Sequence, residues 1–237
     1  MFGGSKSSIP QWNNNKTTDS TDCFCENGPE DTITQIRFSN VQNLDHDPQF
    51  ISASSWDGTV KVWELQSSYN SVQSRFQGDN QFENSVLGHC WSTDNSYIFS
   101  ACADNFVKMW DLKANTITKV GEHRSCVKDV YFSDVHNILI SSSWDGHLKF
   151  WDMKSASPCL DISLEPLKIW SFSYVDPLLV AALSDNSIAV FNMESITRGG
   201  STKPDLVCPT PLKFQTRSVE AFPNAMGYSI TSIEGRC

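Results

Sequence analysis

Ser55-Trp56-Asp57-Gly58-Thr59-Val60-Lys61-Val62-Trp63 returns as Ser143-Trp144-Asp145-Gly146-His147-Leu148-Lys149-Phe150-Trp151. A worn copy, Cys102-Ala103-Asp104-Asn105-Phe106-Val107-Lys108-Met109-Trp110, lies between them. A fainter one, Leu183-Ser184-Asp185-Asn186-Ser187-Ile188-Ala189-Val190-Phe191, follows. The closing aromatics Trp63, Trp110, Trp151 and Phe191 recur every ~40–47 residues, the repeat length of a β-propeller blade. The chain therefore reads as an all-β propeller, a rigid disc on which other molecules assemble.

Each copy sits in the same series of strand signals. Residues 33–38 alternate with period two, 49–54 form a second run and 60–65 a third. Asp57-Gly58 joins the last two as a tight hairpin, because Gly accepts positive φ at no steric cost. The same grammar predicts blades over 32–66, 85–113, 125–155 and 166–195, with an incomplete fifth over 212–237. The polar stretches 70–81 and 197–211 are expected to hold outer strands and surface loops. Asp22-Cys23-Phe24-Cys25-Glu26 reads as a short strand, the outer strand of a last blade that is otherwise missing. Propellers close rings of typically about 4–8 blades, which leaves few open strand edges. Four blades and part of a fifth leave the ring unclosed, so residues 22–237 are expected to be a fragment or truncated form of a longer propeller. Residues 1–21, rich in Ser, Thr, Asn and Gly, are expected to be a disordered N-terminal tail.

Composition narrows the function classes. The 237 residues carry 39% hydrophobic and 19% charged side chains with 8 Trp, as expected of an aromatic-rich globular chain. No apolar run approaches the ~18 residues of a membrane-spanning helix, and the N-terminus lacks a secretory pattern, so an intracellular protein without membrane insertion is expected. The 8 cysteines are scattered; Cys23 and Cys25 lack the spacing of a zinc pair, and free thiols are expected. A net charge of −9 argues against gripping nucleic acid with the whole surface.

The recurring polar residues belong to the scaffold. His123 lies on the loop entering the third blade, Asp145 in its hairpin turn and Trp151 on its third strand. Together with Ser141 or Ser143 they are expected to form a hydrogen-bonded chain, because a buried indole N–H or imidazole left unpaired costs roughly 2–7 kcal/mol. Asp57, Trp63, Asp104, Trp110 and Asp185 hold the same places in the other copies. A His-Asp-Ser set suggests a hydrolase triad, but this one belongs to the repeat and no nucleophile elbow accompanies it. His89, after Gly88, reads as a core or channel-side residue. There is no phosphate loop, metal motif or carboxylate pair, so no catalytic residue, cofactor, metal or small-molecule substrate is expected. Trp56 and Trp144 are different. Both precede the turn Asp and should project from one rim of the disc, where exposed aromatics act as anchors for a partner.

Further phrases carry a resemblance. Cys90-Trp91-Ser92, Lys108-Met109-Trp110-Asp111-Leu112, Leu148-Lys149-Phe150-Trp151-Asp152, Pro211-Leu212-Lys213 before Arg217, and Ser232-Ile233-Glu234-Gly235-Arg236 make residues 22–237 resemble the WD-repeat messenger RNA export factors of the nuclear pore. The spindle-checkpoint WD-repeat family is a sister that shares the Ser-Trp-Asp phrases. Its fifth blade looks much like Leu212-Lys213-Phe214-Gln215-Thr216-Arg217 and Ala221-Phe222-Pro223-Asn224. Both resemblances imply a seven-bladed WD-repeat disc that binds a GLEBS-type segment across one face. In the export family that segment belongs to a Phe-Gly-repeat nucleoporin; in the checkpoint family it belongs to checkpoint kinases at kinetochores. The resemblance implies a peptide site at Trp56, Trp144, Arg217 and Arg236, with Glu234 orienting Arg236. It further implies a nuclear, pore-associated protein with possible cytoplasmic shuttling, working on messenger ribonucleoprotein and touching RNA directly.

Overall fold

The computed structural model describes residues 23–40, 48–68, 71–155 and 157–235; the expected tail 1–21 and Arg236 lie outside them. The strands form five sheets, in each of which spatial order follows chain order and all pairs are antiparallel. Blade 1 comprises β1 (Ile33–Phe38), β2 (Gln49–Ser55), β3 (Thr59–Ser68) and β4 (Ser71–Gln81). Blade 2 comprises β5 (Val86–Trp91), β6 (Tyr97–Cys102), β7 (Phe106–Asp111) and β8 (Thr116–Glu122). Blade 3 comprises β9 (Val127–Ser133), β10 (Ile138–Ser143), β11 (His147–Asp152) and β12 (Pro158–Ser163). Blade 4 comprises β13 (Ile169–Val175), β14 (Leu178–Leu183), β15 (Ser187–Asn192) and β16 (Leu206–Pro209), and the two-stranded fifth sheet pairs β17 (Thr216–Ala221) with β18 (Tyr228–Ser232). This is a partial WD-type β-propeller, and the described sheets do not close into a ring.

Two local readings change. Residues 23–26 form no strand; they run beside blade 1, where the Glu26 carbonyl accepts the Trp63 Nε1–H at 2.6 Å and the Phe24 carbonyl accepts the Ser74 hydroxyl at 2.8 Å. A strand needs backbone pairing with a neighbour, whereas these two carbonyls accept from side chains of blade 1. The connector after β15 opens with a short helix, α1 (Met193–Gly199), capped by the Asn192 side chain on Glu194 N–H and by Gly200 in the left-handed region. Its polar composition hid two inward residues, Met193 and Ile196, that complete the blade 4 core.

Packing follows from burial on both faces. The second strands Ile138–Ser143, Tyr97–Cys102 and Leu178–Leu183 lie between neighbouring sheets and read as continuous apolar or small runs. The outer strand Thr116–Glu122 is largely exposed. Each seam holds its own apolar cluster, such as Phe99, Ala101, Val107, Val130, Leu139 and Trp151 between blades 2 and 3. Every large side chain buried in this way contributes roughly 1.5–3 kcal/mol.

One glycine shows how tight the blade 2–3 seam is. A methyl group on Gly121 would lie 2.3 Å from the Trp151 indole. Gly121→Ala is therefore expected to destabilise the chain by about 1–3 kcal/mol, read from the urea midpoint at unchanged slope. A midpoint equal to that of the parent chain would show that the seam is looser than these contacts imply.

Candidate peptide-binding face

The turn between second and third strands fixes one rim. Gly58 and Gly146 take positive φ there, Asn105 and Asn186 do so in blades 2 and 4, and Gly235 in blade 5. The residue at the rim position is anchored in the same way in every blade. Its N–H donates to the carbonyl just before the inner strand: Trp56 to Thr32, Ala103 to Ser85, Trp144 to Cys126, Ser184 to Lys168 and Ile233 to Gln215. The five positions are thus structurally equivalent. Large apolar groups occupy blades 1, 3 and 5, with Trp56 47% and Ile233 59% exposed. Ile233 was hidden in the sequence because its copy of the phrase is the most diverged.

A second repeated device is a β-bulge at the start of each inner strand. The pairing register skips one residue per blade, leaving Thr34, Leu87, Lys128, Trp170 and Arg217 unpaired. Bulges re-aim side chains at such rims. Trp170 therefore meets Trp144 edge to face, with centroids 6.0 Å apart at 70°. Sequence reading missed Trp170 and Lys128; superposing Ile169-Trp170-Ser171 on Thr216-Arg217-Ser218 gives the signal that finds them. The Trp144 Nε1–H is buried and has no acceptor among the described residues. Arg217 is exposed and makes no ion pair among the described residues, while Lys128 lies 3.6 Å from Asp129. Glu234 is exposed in the fifth turn, at the place Asp145 holds in the third. Its expected partner Arg236 lies outside the described residues.

Below the rim, polar spokes cross the centre. Arg37 of blade 1 donates to the Tyr131 hydroxyl of blade 3, with its guanidinium over that ring at 4.7 Å, and lies 3.7 Å from Glu220 of blade 5. Gln35 Nε2 donates to Asp129 at 3.3 Å. A cavity of about 160 Å³ remains between these groups, Lys128 and Arg217.

The blade 3 network runs from an indole to a carboxylate. Trp151 Nε1–H donates to Ser141 Oγ at 2.8 Å, and Ser141 lies 2.7 Å from His123 Nε2. His123 Nδ1 lies 3.2 Å from Asp145 Oδ2, which can only accept. Burial holds the His123 imidazole below its ordinary value and so neutral at pH 7, with Nδ1–H donating to Asp145, while the Ser141 hydroxyl has Nε2 at 2.7 Å and the more distant Lys149 O at 3.5 Å as its acceptors. Burial works against the Asp145 charge, but hydrogen bonds from His123 and from the Arg124 and His147 N–H groups hold its carboxyl well below the usual range. Ser141, not Ser143, is the member; Ser143 Oγ instead donates to Ser125 O at 3.0 Å.

Trp63 and Trp110 do not follow this plan. Trp63 donates to Glu26 O, and Trp110 to Asn115 Oδ1 at 3.0 Å. Phe82 occupies in blade 2 the place of His123, since the two N–H groups donate to Gly58 O and Asn105 O, and a phenyl ring cannot relay a hydrogen bond. Asp57 accepts Thr59 N–H at 2.7 Å, Asp104 pairs with Lys108 at 2.5 Å, and Asp185 accepts Ser187 N–H at 3.0 Å. All three serve their turns.

With strand series, turn and network in hand, the family is decided. The family model described as WD domain, G-beta repeat matches residues 22–64, 70–111 and 115–152. The chain belongs to the WD-repeat family. This WD-repeat chain is 32% identical over 212 residues to the Poly(A)+ RNA export protein of Schizosaccharomyces pombe, covering 88% of itself and 56% of that protein. It is 34% identical over 250 residues to the mRNA export factor rae-1 of Caenorhabditis elegans, covering 100% and 63%. The Mitotic checkpoint protein BUB3.1 of Arabidopsis thaliana is 31% identical over 214 residues, covering 89% and 58%. The resemblance to the messenger RNA export factors read from the sequence is thus borne out. The chain spans about 56–63% of the length of these relatives.

Proposed function

We propose that the chain is a non-catalytic adaptor that docks a GLEBS-type segment of a Phe-Gly-repeat nucleoporin across the Trp56–Trp144 rim. It thereby supports messenger RNA export, in the nucleus and at the pore. The observation that carries this reading is the pairing of half-buried Trp144, whose indole N–H lacks an acceptor among the described residues, with Trp170, on a rim that also carries Arg217, exposed and without an ion pair among those residues. An acidic, partly apolar peptide supplies what this arrangement lacks. A backbone carbonyl satisfies the indole, a carboxylate takes two parallel hydrogen bonds from the guanidinium, and the indoles exclude water from that pair. The relatives named as export factors support the biological setting.

The test is a titration with a labelled GLEBS-type peptide. Trp144→Ala is expected to weaken binding about 30-fold or more, and Arg217→Ala about tenfold, with the latter loss shrinking as salt rises. Unchanged affinity in both variants overturns the site. A checkpoint-kinase peptide is the rival ligand, favoured by the similarity to a mitotic checkpoint protein. An interphase nuclear-rim signal supports the export role, and a mitotic kinetochore signal the checkpoint role.

A further inference from the structure

The link between blades 4 and 5 carries chemistry that docking does not use. Thr210-Pro211-Leu212-Lys213 joins a hydroxyl, an adjacent proline and a cation three residues on. Of the two Ser/Thr-Pro pairs in the chain, only this one has the cation; Leu160 holds that place after Ser157-Pro158. Pro211 keeps Thr210 extended and contributes no N–H that would be left unpaired inside an enzyme's groove. Extended hydroxyl acceptors of this kind suit proline-directed Ser/Thr kinases.

The fold presents the motif beside a short edge strand. Residues 210–215 form no regular structure, and the preceding strand β16 has only 4 residues on the open edge of blade 4, with Leu206 55% and Val207 52% exposed. Such an edge opens locally at low cost. Thr210 is half-buried, and its hydroxyl donates to Leu212 O at 3.2 Å. Its N–H donates to Asn186 O, in the turn of blade 4, on the same rim as the Trp56 and Trp144 turns. Lys213 and Arg217, both exposed, follow in the chain.

We infer that Thr210 is a phosphorylation site whose phosphate captures Lys213 and Arg217 and so releases an acidic peptide from the rim; the second half rests on the docking reading above. In the transfer, Thr210 Oγ1 bonds to the terminal phosphorus of ATP as the bond to the β–γ bridging oxygen breaks. ADP leaves, and the hydroxyl proton passes to the kinase's catalytic base. The product carries a charge of about −1.5 to −2 at neutral pH, enough for charge-assisted bonds to both cations.

The full chain is incubated with a proline-directed Ser/Thr kinase and ATP, mapped by mass spectrometry, and titrated with the GLEBS-type peptide before and after. Phosphate is expected on Thr210 and absent in Thr210→Ala, whose peptide affinity matches that of the untreated parent. Phosphorylation should weaken the peptide about tenfold at low salt, less at high salt, and hardly at all in Arg217→Ala. Failure of the folded chain to take phosphate, while a free 206–217 peptide does, overturns the site. Stoichiometric phosphate with unchanged affinity overturns the switch. No peptide binding before the kinase step sinks the docking reading and the switch with it, while the phosphate map still judges the modification.

Discussion

Acidification from pH 7 to pH 4.5 is expected to destabilise this chain through His89. Burial, reinforced by the nearby Arg37 charge, pushes the His89 imidazole from 6.5 down to about 3. A chain of hydrogen bonds surrounds it. Trp91 Nε1–H donates to Ser52 Oγ at 2.9 Å, and Ser52 lies 2.7 Å from His89 Nε2. His89 Nδ1 lies 3.0 Å from Ser54 Oγ, Ser54 lies 2.8 Å from Thr34 Oγ1, and Thr34 donates to Val86 O at 2.7 Å. With the imidazole neutral, Nδ1–H donates to Ser54, and the Ser52 hydroxyl has Nε2 at 2.7 Å and Arg37 O at 3.2 Å as its acceptors. The sign follows. A folded value below the unfolded one means that the unfolded chain binds the extra proton, so the stability is present above pH 6.5 and is lost as pH falls towards about 3. At about 1.4 kcal/mol per pH unit, a fall from pH 6 to pH 4.5 removes on the order of 2 kcal/mol. Urea midpoints of the parent and of His89→Gln across that range check this. The variant should show a flatter profile by about one proton, and parallel profiles would place the acid sensitivity elsewhere.

Trp151→Ala should cost about 3–5 kcal/mol, close to the whole stability of a marginal domain. The indole is almost fully buried against Phe99, Ala101, Val107 and Leu139, and Gly121 is in close contact with its six-membered ring. Its loss opens a cavity in the seam between blades 2 and 3. It also removes the donor to Ser141, at the head of the chain that runs through His123 to Asp145. Trp151→Phe keeps part of the apolar contact while deleting the N–H and the outer part of the indole; about 1–3 kcal/mol of loss should remain. The readout is the urea midpoint at pH 7. A loss below 1 kcal/mol for Trp151→Ala would mean that neighbouring blades collapse into the space, and the seam would then be less rigid than its packing indicates.

These two networks mark the boundary of what the sequence alone could show. The blade 3 chain was legible because its members recur at fixed places within a single repeat, so the phrase announced the turn Asp and the closing Trp. Even there, sequence could not choose between Ser141 and Ser143, because residues two apart share one face of a strand and only the packing brings Ser141 within 2.7 Å of the imidazole. The His89 chain has the same Trp–Ser–His logic, but Trp91 and His89 come from blade 2 and Ser52 and Ser54 from blade 1. No period links residues that meet only across a seam, so His89 read simply as a core or channel-side residue.

The candidate face divides in the same way. Trp56 and Trp144 stand out in the chain because two hairpin corners carry an aromatic that the turn does not need. Trp170 and Lys128 stand inside ordinary strand patterns and reach the rim only because a bulge throws one residue out of register in every blade. By itself the sequence determined the blade repeat, its turns and the rim on which large apolar groups gather, since all of these follow from local periodicity and turn chemistry. Only the tertiary structure decided which polar side chains pair across seams, which tryptophan lies against Trp144 and which indole N–H is left without an acceptor. Those outcomes depend on the angle and register at which one sheet packs on the next, and neither quantity is encoded within a single repeat.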